Sequence, residues 1–154
     1  DLLTGKSMSY SCDPHPMNRT GDAKGALVGG NLTLLAHGVG SSSAIKTSHN
    51  LLFIEDIGEY LYNIDRMLYQ LKRAEKLHKP AGLIVGSFTD CKDTERPFGK
   101  NAYEIIRDVV AEFDYPVCFG FPVGHATDNY ALKCGMEHRL KIERNRVSLK
   151  ELRH

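Results

Sequence analysis

Leu51-Leu52-Phe53-Ile54-Glu55-Asp56 decides the fold. Four apolar residues in a row, with no helical periodicity, read as a strand covered on both faces. Such strands belong to sheets sandwiched between other layers. Two carboxylates close the run, so the chain leaves the core where α/β sheets open their ligand crevices, just beyond the carboxyl ends of the strands. Downstream, Leu61, Ile64, Met67, Leu68, Leu71, Ala74 and Leu77 fall on one stripe at helical spacing and predict a long helix over residues 60–78, ended by Pro80.

The same alternation continues. Gly82–Phe88 reads as a second buried strand, Asn101–Phe113 as a second amphipathic helix and Val117–Phe121 as a third buried strand. Upstream, Gly25–Gly30 is a short apolar strand. Asn31 after it has the character of a helix N-cap. Near the end the rhythm changes: Leu140 and Ile142, then Val147 and Leu149, alternate with charges across Asn145-Arg146, the pattern of a hairpin with one wet face. The expected fold is an α/β domain with a mixed sheet, two main helices and a C-terminal β-hairpin. Residues 1–22, polar and broken by Pro14, Pro16 and Gly21, read as a linker or edge segment, and residues 23–154 as the domain proper.

Composition narrows the function. Twenty basic against nineteen acidic residues give +1, a poor footprint for a nucleic-acid binder, which needs a clustered basic surface. The basic residues between Lys133 and Arg153 are interleaved with Glu137, Glu143 and Glu151, as on a solvated hairpin face. No apolar run approaches a membrane span and no signal peptide is visible, so a cytoplasmic protein is expected. The chain opens at Asp1 in mid-sequence, as expected of a processed product or of a domain cut from a longer polypeptide. Cys12, Cys91, Cys118 and Cys134 form no Cys-x-x-Cys pair and match no zinc framework; reduced thiols and no metal are expected.

Glu55 and His125 are the residues with chemical promise. A histidine acts as a general base near neutral pH, and a buried carboxylate can orient its ring and stabilise its charged form. His125 follows the third strand through a Pro122-Val123-Gly124 turn, as Glu55 follows the first, and the two would converge if those strands were neighbours. The bland reading is that carboxylates mark strand exits and histidines are common in loops. Asp56 is a further candidate beside Glu55. Arg66 could pair with Asp56 or Glu55 or grip a substrate carboxylate, or form a structural ion pair. Asn129 could hold its loop or bond a substrate. Gly30 and Asn31, at a helix start, can present backbone N–H groups to an anion or simply make a tight turn. His15, His37, His49 and His78 read as ordinary loop or surface residues. No serine stands in a convincing nucleophile setting.

Four blocks in order carry a family resemblance: GGNLTLL at 29–35, LLFIEDIGEYLYNIDRMLYQL at 51–71, GLIVGSFTDC at 82–91 and FPVGHATDN at 121–129. Together they resemble the C-terminal domain of LD-carboxypeptidases (muramoyltetrapeptide carboxypeptidases), a group that includes the microcin C immunity peptidase. The resemblance runs from about Gly25 to the end of the hairpin. It implies a swivelling β/β/α domain, preceded by an N-terminal α/β domain that carries the nucleophilic serine and the oxyanion hole. It places the family's glutamate on Glu55, its histidine on His125 and its helical Asp-Arg on Asp65-Arg66. It implies neither metal nor cofactor, and as partners the N-terminal nucleophile domain, a muropeptide tetrapeptide cleaved before its terminal D-alanine in peptidoglycan recycling, and a possible homodimer. Gly38-Val39-Gly40-Ser41 stands where members usually carry Gly-Thr. A chain with no nucleophile is expected to be inert alone. An immunity-type peptidase acting on a peptide–nucleotide conjugate, and a non-catalytic binding or dimerisation domain, are the alternatives.

Overall fold

The architecture comes from a computed structural model that describes residues 6–152. The first five residues of the 1–22 segment, and Arg153 of the basic run, lie outside the described residues. The parallel half of the sheet is built from β2 (Gly21–Asn31), β3 (Leu51–Ile57), β4 (Gly82–Thr89) and β5 (Val117–Phe119). The antiparallel half adds β6 (Glu137–Ile142), β7 (Val147–Glu151) and, at the edge, β1 (Ser9–Cys12). The order across the seven strands is β1-β7-β6-β2-β3-β4-β5. Three helices, α1 (Leu32–His37), α2 (Leu61–Arg73) and α3 (Ala102–Val109), provide the crossovers of the parallel half.

The continuous apolar runs are explained by two cores, one on each face of the sheet. Leu52 and Ile54 pack with Leu83, Val85 and the buried stripes of α2 (Ile64, Leu68, Leu71) and α3 (Ile105, Ile106, Val109). Their neighbours Leu51 and Phe53 face the other way, against Leu27, Ile84, Cys118 and the hairpin residues Leu140 and Leu149. Each fully buried aliphatic side chain contributes about 1.5–3 kcal/mol of transfer free energy. β3 therefore contributes to both cores.

The two edges of this sheet are joined by one stretch of chain. β1 pairs with β7, and a few residues later Arg19 and Val117 of β5 exchange backbone hydrogen bonds at 2.9 and 3.1 Å. Asn18 Oδ1 accepts from the Phe119 amide at 2.7 Å, and the Arg19 guanidinium donates to the Tyr115 carbonyl. The polar N-terminal segment thus satisfies backbone groups that an open sheet edge would leave bare.

Element ends differ from the sequence reading for physical reasons. β2 begins at Gly21 and not Gly25, because its first half pairs with β6 and presents Asp22 and Lys24 to water, while Ala23 is buried. Helix α2 ends at Arg73 and not at residue 78: Glu75 adopts a left-handed conformation (φ 60°), and a turn delivers Leu77 into the core. α3 stops at Val109, and the chain then turns through Val110–Phe113. β5 ends at Phe119 because Gly120 turns the chain with φ 69°. Asn31 is the N-cap of α1, its Oδ1 accepting from Leu34 N at 3.2 Å.

Candidate active site

The site is assembled at the carboxyl ends of β3 and β4. Between Ile54 and Asp56 the register of β3 against β4 slips by a bulge. Both faces of β3 are covered, so these two successive side chains are both buried, Glu55 at 6% and Asp56 at 2% exposure. Two adjacent buried carboxylates each need partners. Those of Asp56 are at the N-terminal end of α1: the side-chain amide of the N-cap Asn31 donates to it at 2.8 Å, the Thr33 backbone N–H at 3.0 Å and the Thr33 hydroxyl at 2.8 Å. The Ile57 amide supplies a fourth bond at 2.8 Å. Asp56 thereby fixes the start of α1 against the end of β3.

The partner of Glu55 is His125. The imidazole Nδ1 lies 2.7 Å from Glu55 Oε2, so with the carboxylate ionised Nδ1 carries the proton and donates. The carboxylate side chain is 8% exposed and the imidazole 50%. Among the described residues Nε2 makes no hydrogen bond, so the half-exposed ring is oriented through its other nitrogen.

β3 and β5 are not neighbours, as a simple meeting of Glu55 with His125 would require; β4 lies between them. The loop after β5 folds back across the end of β4. Phe121 N donates to the Val85 carbonyl, and Ser87 N to the Val123 carbonyl at 2.8 Å. The His125 amide donates to Ser87 Oγ at 2.9 Å. Two glycines make the crossing possible. A Cβ on Gly86 would stand 2.4 Å from the Val123 carbonyl oxygen, and one on Gly124 would meet Ser87 Oγ at 2.4 Å and Glu55 at 2.9 Å. Gly124 also has φ 118°, a region favourable only to glycine.

The other sequence candidates are placed as follows. Asn129 holds its own loop, its Oδ1 accepting from Gly124 N at 3.2 Å. Arg66 pairs with neither Glu55 nor Asp56: its guanidinium lies over the Tyr62 ring at 5.1 Å, on the outer side of α2. There it lines a groove of about 630 Å³ with Asp65, Tyr69 and Arg73, which contains none of the Glu55–His125 machinery. Gly30 faces open space at the start of α1, whereas its neighbour Gly29 is the constrained one: a Cβ there would meet the Phe53 carbonyl oxygen at 2.0 Å. His15 is no ordinary surface residue; its half-buried ring packs against Tyr103 and Phe119 at 5.4 and 5.9 Å. It borders a cavity of about 370 Å³ with Leu61, Phe88 and Cys91 on the helical side of the sheet.

Among the described residues no hydroxyl or thiol bonds the imidazole ring, and the Thr89 hydroxyl donates to the His125 carbonyl. The Ser87 hydroxyl accepts from the His125 backbone and not from its ring. Burial, then the nearby Asp56 carboxylate, push the Cys91 thiol up, so it stays protonated near neutrality. Its contact with Cys12 and burial push the Cys118 thiol up as well. Among the described residues no cluster of three or more His, Cys, Asp or Glu side chains is placed to hold a metal ion. Sequence reasoning missed Thr33, Gly86, Ser87 and Gly124 as builders of this site. The only available signal was a glycine inside an otherwise apolar strand, which marks close approach by another stretch of backbone.

The family model for the LD-carboxypeptidase C-terminal domain matches residues 24–140. The chain belongs to this family. It is 41% identical over 136 residues to the probable murein peptide carboxypeptidase of Bacillus subtilis, an alignment covering 87% of the chain and 43% of that protein. The crystal structure of muramoyltetrapeptide carboxypeptidase from Oxalobacter formigenes superimposes with a TM-score of 0.89 at 30% identity, covering 99% of the chain and 52% of that structure. The microcin C7 self-immunity protein of Escherichia coli is 27% identical over 136 residues, 86% of the chain and 38% of that protein. The LD-carboxypeptidase domain therefore spans roughly two-fifths to one-half of the relatives it matches. No described helix is long and apolar enough to cross a membrane.

Proposed function

We propose that this chain is the acid–base half of a serine LD-carboxypeptidase, residues 23–154 forming the C-terminal domain and residues 1–22 following an N-terminal nucleophile domain. The observation that carries the reading is a buried carboxylate bonded to one nitrogen of a half-exposed imidazole whose other nitrogen bonds nothing among the described residues. A hydroxyl brought to Nε2 would give up its proton there as it attacks a peptide carbonyl. The same nitrogen would return the proton to the leaving amine. Glu55 would hold the tautomer and stabilise the imidazolium between those steps. The substrate is a muropeptide tetrapeptide cleaved before its terminal D-alanine, in the cytoplasm, during peptidoglycan recycling; the similarity to murein and muramoyltetrapeptide carboxypeptidases supports this choice.

The test uses the full-length protein. Glu55→Gln and His125→Ala each lower kcat on the order of 10⁴-fold in D-alanine release, and this chain alone releases none. Near-wild-type turnover by either variant removes that residue from the mechanism. The similarity to the microcin C7 self-immunity protein motivates a parallel arm with an aminoacyl-nucleotide conjugate. Preferred turnover of the conjugate would replace the muropeptide as substrate and leave the Glu55–His125 chemistry unchanged.

A further inference from the structure

The loop that carries His125 lies on the surface, tied within itself by Asn129 and to β4 by Ser87 and Thr89. Residues 125–129 are all exposed, yet the imidazole must stay within a fraction of an ångström of a productive position for proton transfer. Ser87 and Glu55 hold its near end. Its far end is closed by Tyr130, whose amide donates to the Pro122 carbonyl at 2.8 Å and turns residues 122–130 into a compact closed loop.

Tyr130 is in turn gripped by strand β1. The rings of Tyr10 and Tyr130 lie 5.2 Å apart, and Phe121 packs edge-on against Tyr130 at 5.9 Å. The two phenols are crossed: Tyr10 donates its hydroxyl to the carbonyl of Ala131, and Tyr130 donates to the carbonyl of Ser11 at 3.1 Å. Each tyrosine thus bonds the backbone next to the other. Beyond the tyrosines, Lys133 spans the same gap, reaching the Lys6 carbonyl at 2.7 Å and the Glu151 carboxylate at 2.9 Å. Burial, then the charge of Glu151, push the Tyr10 hydroxyl up, so it remains a donor across the neutral range. For a segment ending an exposed loop, two reciprocal side-chain anchors to one edge strand are more than chain connection needs.

We infer that Tyr130 and Tyr10 form a clasp through which β1 positions His125 against Glu55. Both are positioning residues: neither touches the imidazole, and they act by fixing the far end of its loop. The inference rests on the reading of His125 as general base only for its catalytic consequence; the structural consequence stands apart from it.

The test has two arms. In the 154-residue chain, proton NMR reads the hydrogen-bonded imidazole Nδ1–H of His125, and amide exchange reads residues 124–129. Tyr130→Ala broadens or abolishes the imidazole resonance and speeds exchange in the loop at least tenfold, while Tyr130→Phe, which keeps the ring, retains the resonance. Should Tyr130→Ala fail to fold, the double variant Tyr10→Phe/Tyr130→Phe, which removes only the two hydroxyls, speeds loop exchange severalfold. A folded Tyr130→Ala or double variant with wild-type resonance and exchange overturns the clasp. In the full-length enzyme Tyr130→Ala lowers kcat about tenfold with KM unchanged, and Tyr130→Phe restores most of it. A matched loss of stability with unchanged kcat in the folded fraction assigns the pair a merely structural role and overturns the inference. If His125→Ala proves active, the proposed function fails, and the NMR arm still decides the clasp.

Discussion

Gly86→Ala tests how the site is brought together. Gly86 lies within β4 and its backbone conformation is open to any residue, so alanine adds a methyl group without backbone strain. That methyl would stand 2.4 Å from the Val123 carbonyl oxygen and 2.7 Å from Val123 Cγ1. The first contact is with backbone, which cannot rotate aside. Relief to the about 3.0–3.4 Å of a tight contact requires the 122–125 segment to withdraw by about 0.6–1 Å, since packed interiors have no slack to absorb it. The Nδ1···Oε2 bond of His125 to Glu55, 2.7 Å in the native loop, would then stretch to about 3.3–3.7 Å, beyond the range of a strong charge-assisted bond. Overpacking of this kind costs about 1–3 kcal/mol, small enough for the domain to remain folded. The assay is proton NMR of the imidazole Nδ1–H, together with urea denaturation. The expected outcome is a folded variant in which that resonance is lost and the full-length enzyme loses most of its kcat. A variant that is destabilised by the stated amount yet keeps the native resonance would refute the argument that the loop's approach over Gly86 sets the Glu55–His125 contact.

Two further outcomes follow from other parts of the molecule. Asp56→Ala leaves the Asn31, Thr33 and Ile57 amides without their acceptor, while the Thr33 hydroxyl keeps Glu59 at 3.1 Å, and should destabilise the domain by about 3 kcal/mol, with Asp56→Asn, which keeps one acceptor oxygen, recovering part of this; a shift in urea midpoint equivalent to less than about 0.5 kcal/mol would show that water replaces the carboxylate freely. Lys133, then the Met8 amide, hold the Glu151 carboxyl below its ordinary value of 4.5, so its ion contributes stability above that value and loses it as pH falls through the lower folded value. Glu151→Gln should therefore be less stable than the parent at pH 6 and approach it toward pH 3, and a difference that stays constant across paired denaturation curves would contradict the assignment.

Legibility of this fold tracks how many faces each strand buries. β3 and β4 are apolar on both sides, so their residues announce a strand without reference to anything else. β1 buries only Tyr10 among its four residues, and Ser-Tyr-Ser-Cys beside two prolines carries too little apolar signal to compete with turn chemistry. The first half of β2 is equally faint for the same reason: Asp22 faces water, where it binds Arg139 on β6. Leu77 shows the opposite error, a residue on the helical stripe that is buried by a turn after the helix has ended.

The site divides along a different line. Glu55 and His125 are chemically conspicuous and stand at strand ends, so each can be named from its own neighbourhood. Their meeting cannot, because it depends on a loop crossing an intervening strand, and a crossing leaves its mark on the strand that is crossed. Gly86 is that mark: the fifth residue of GLIVGSFT, flanked by valine and serine, with no turn to require it. Arg66 shows why proximity in sequence is a weaker guide. One turn into α2 it is near both carboxylates along the chain, but the buried stripe of Ile64, Leu68 and Leu71 orients the helix and turns Arg66 outward onto Tyr62. An apolar stripe thus has two consequences: it buries its own residues, and it fixes where every polar residue between them can reach. That constraint, which needs only the spacing of Ile64, Leu68 and Leu71, is enough to separate Arg66 from Glu55. A glycine that no turn geometry explains is informative in the same way, since it marks the strand over which the base loop travels.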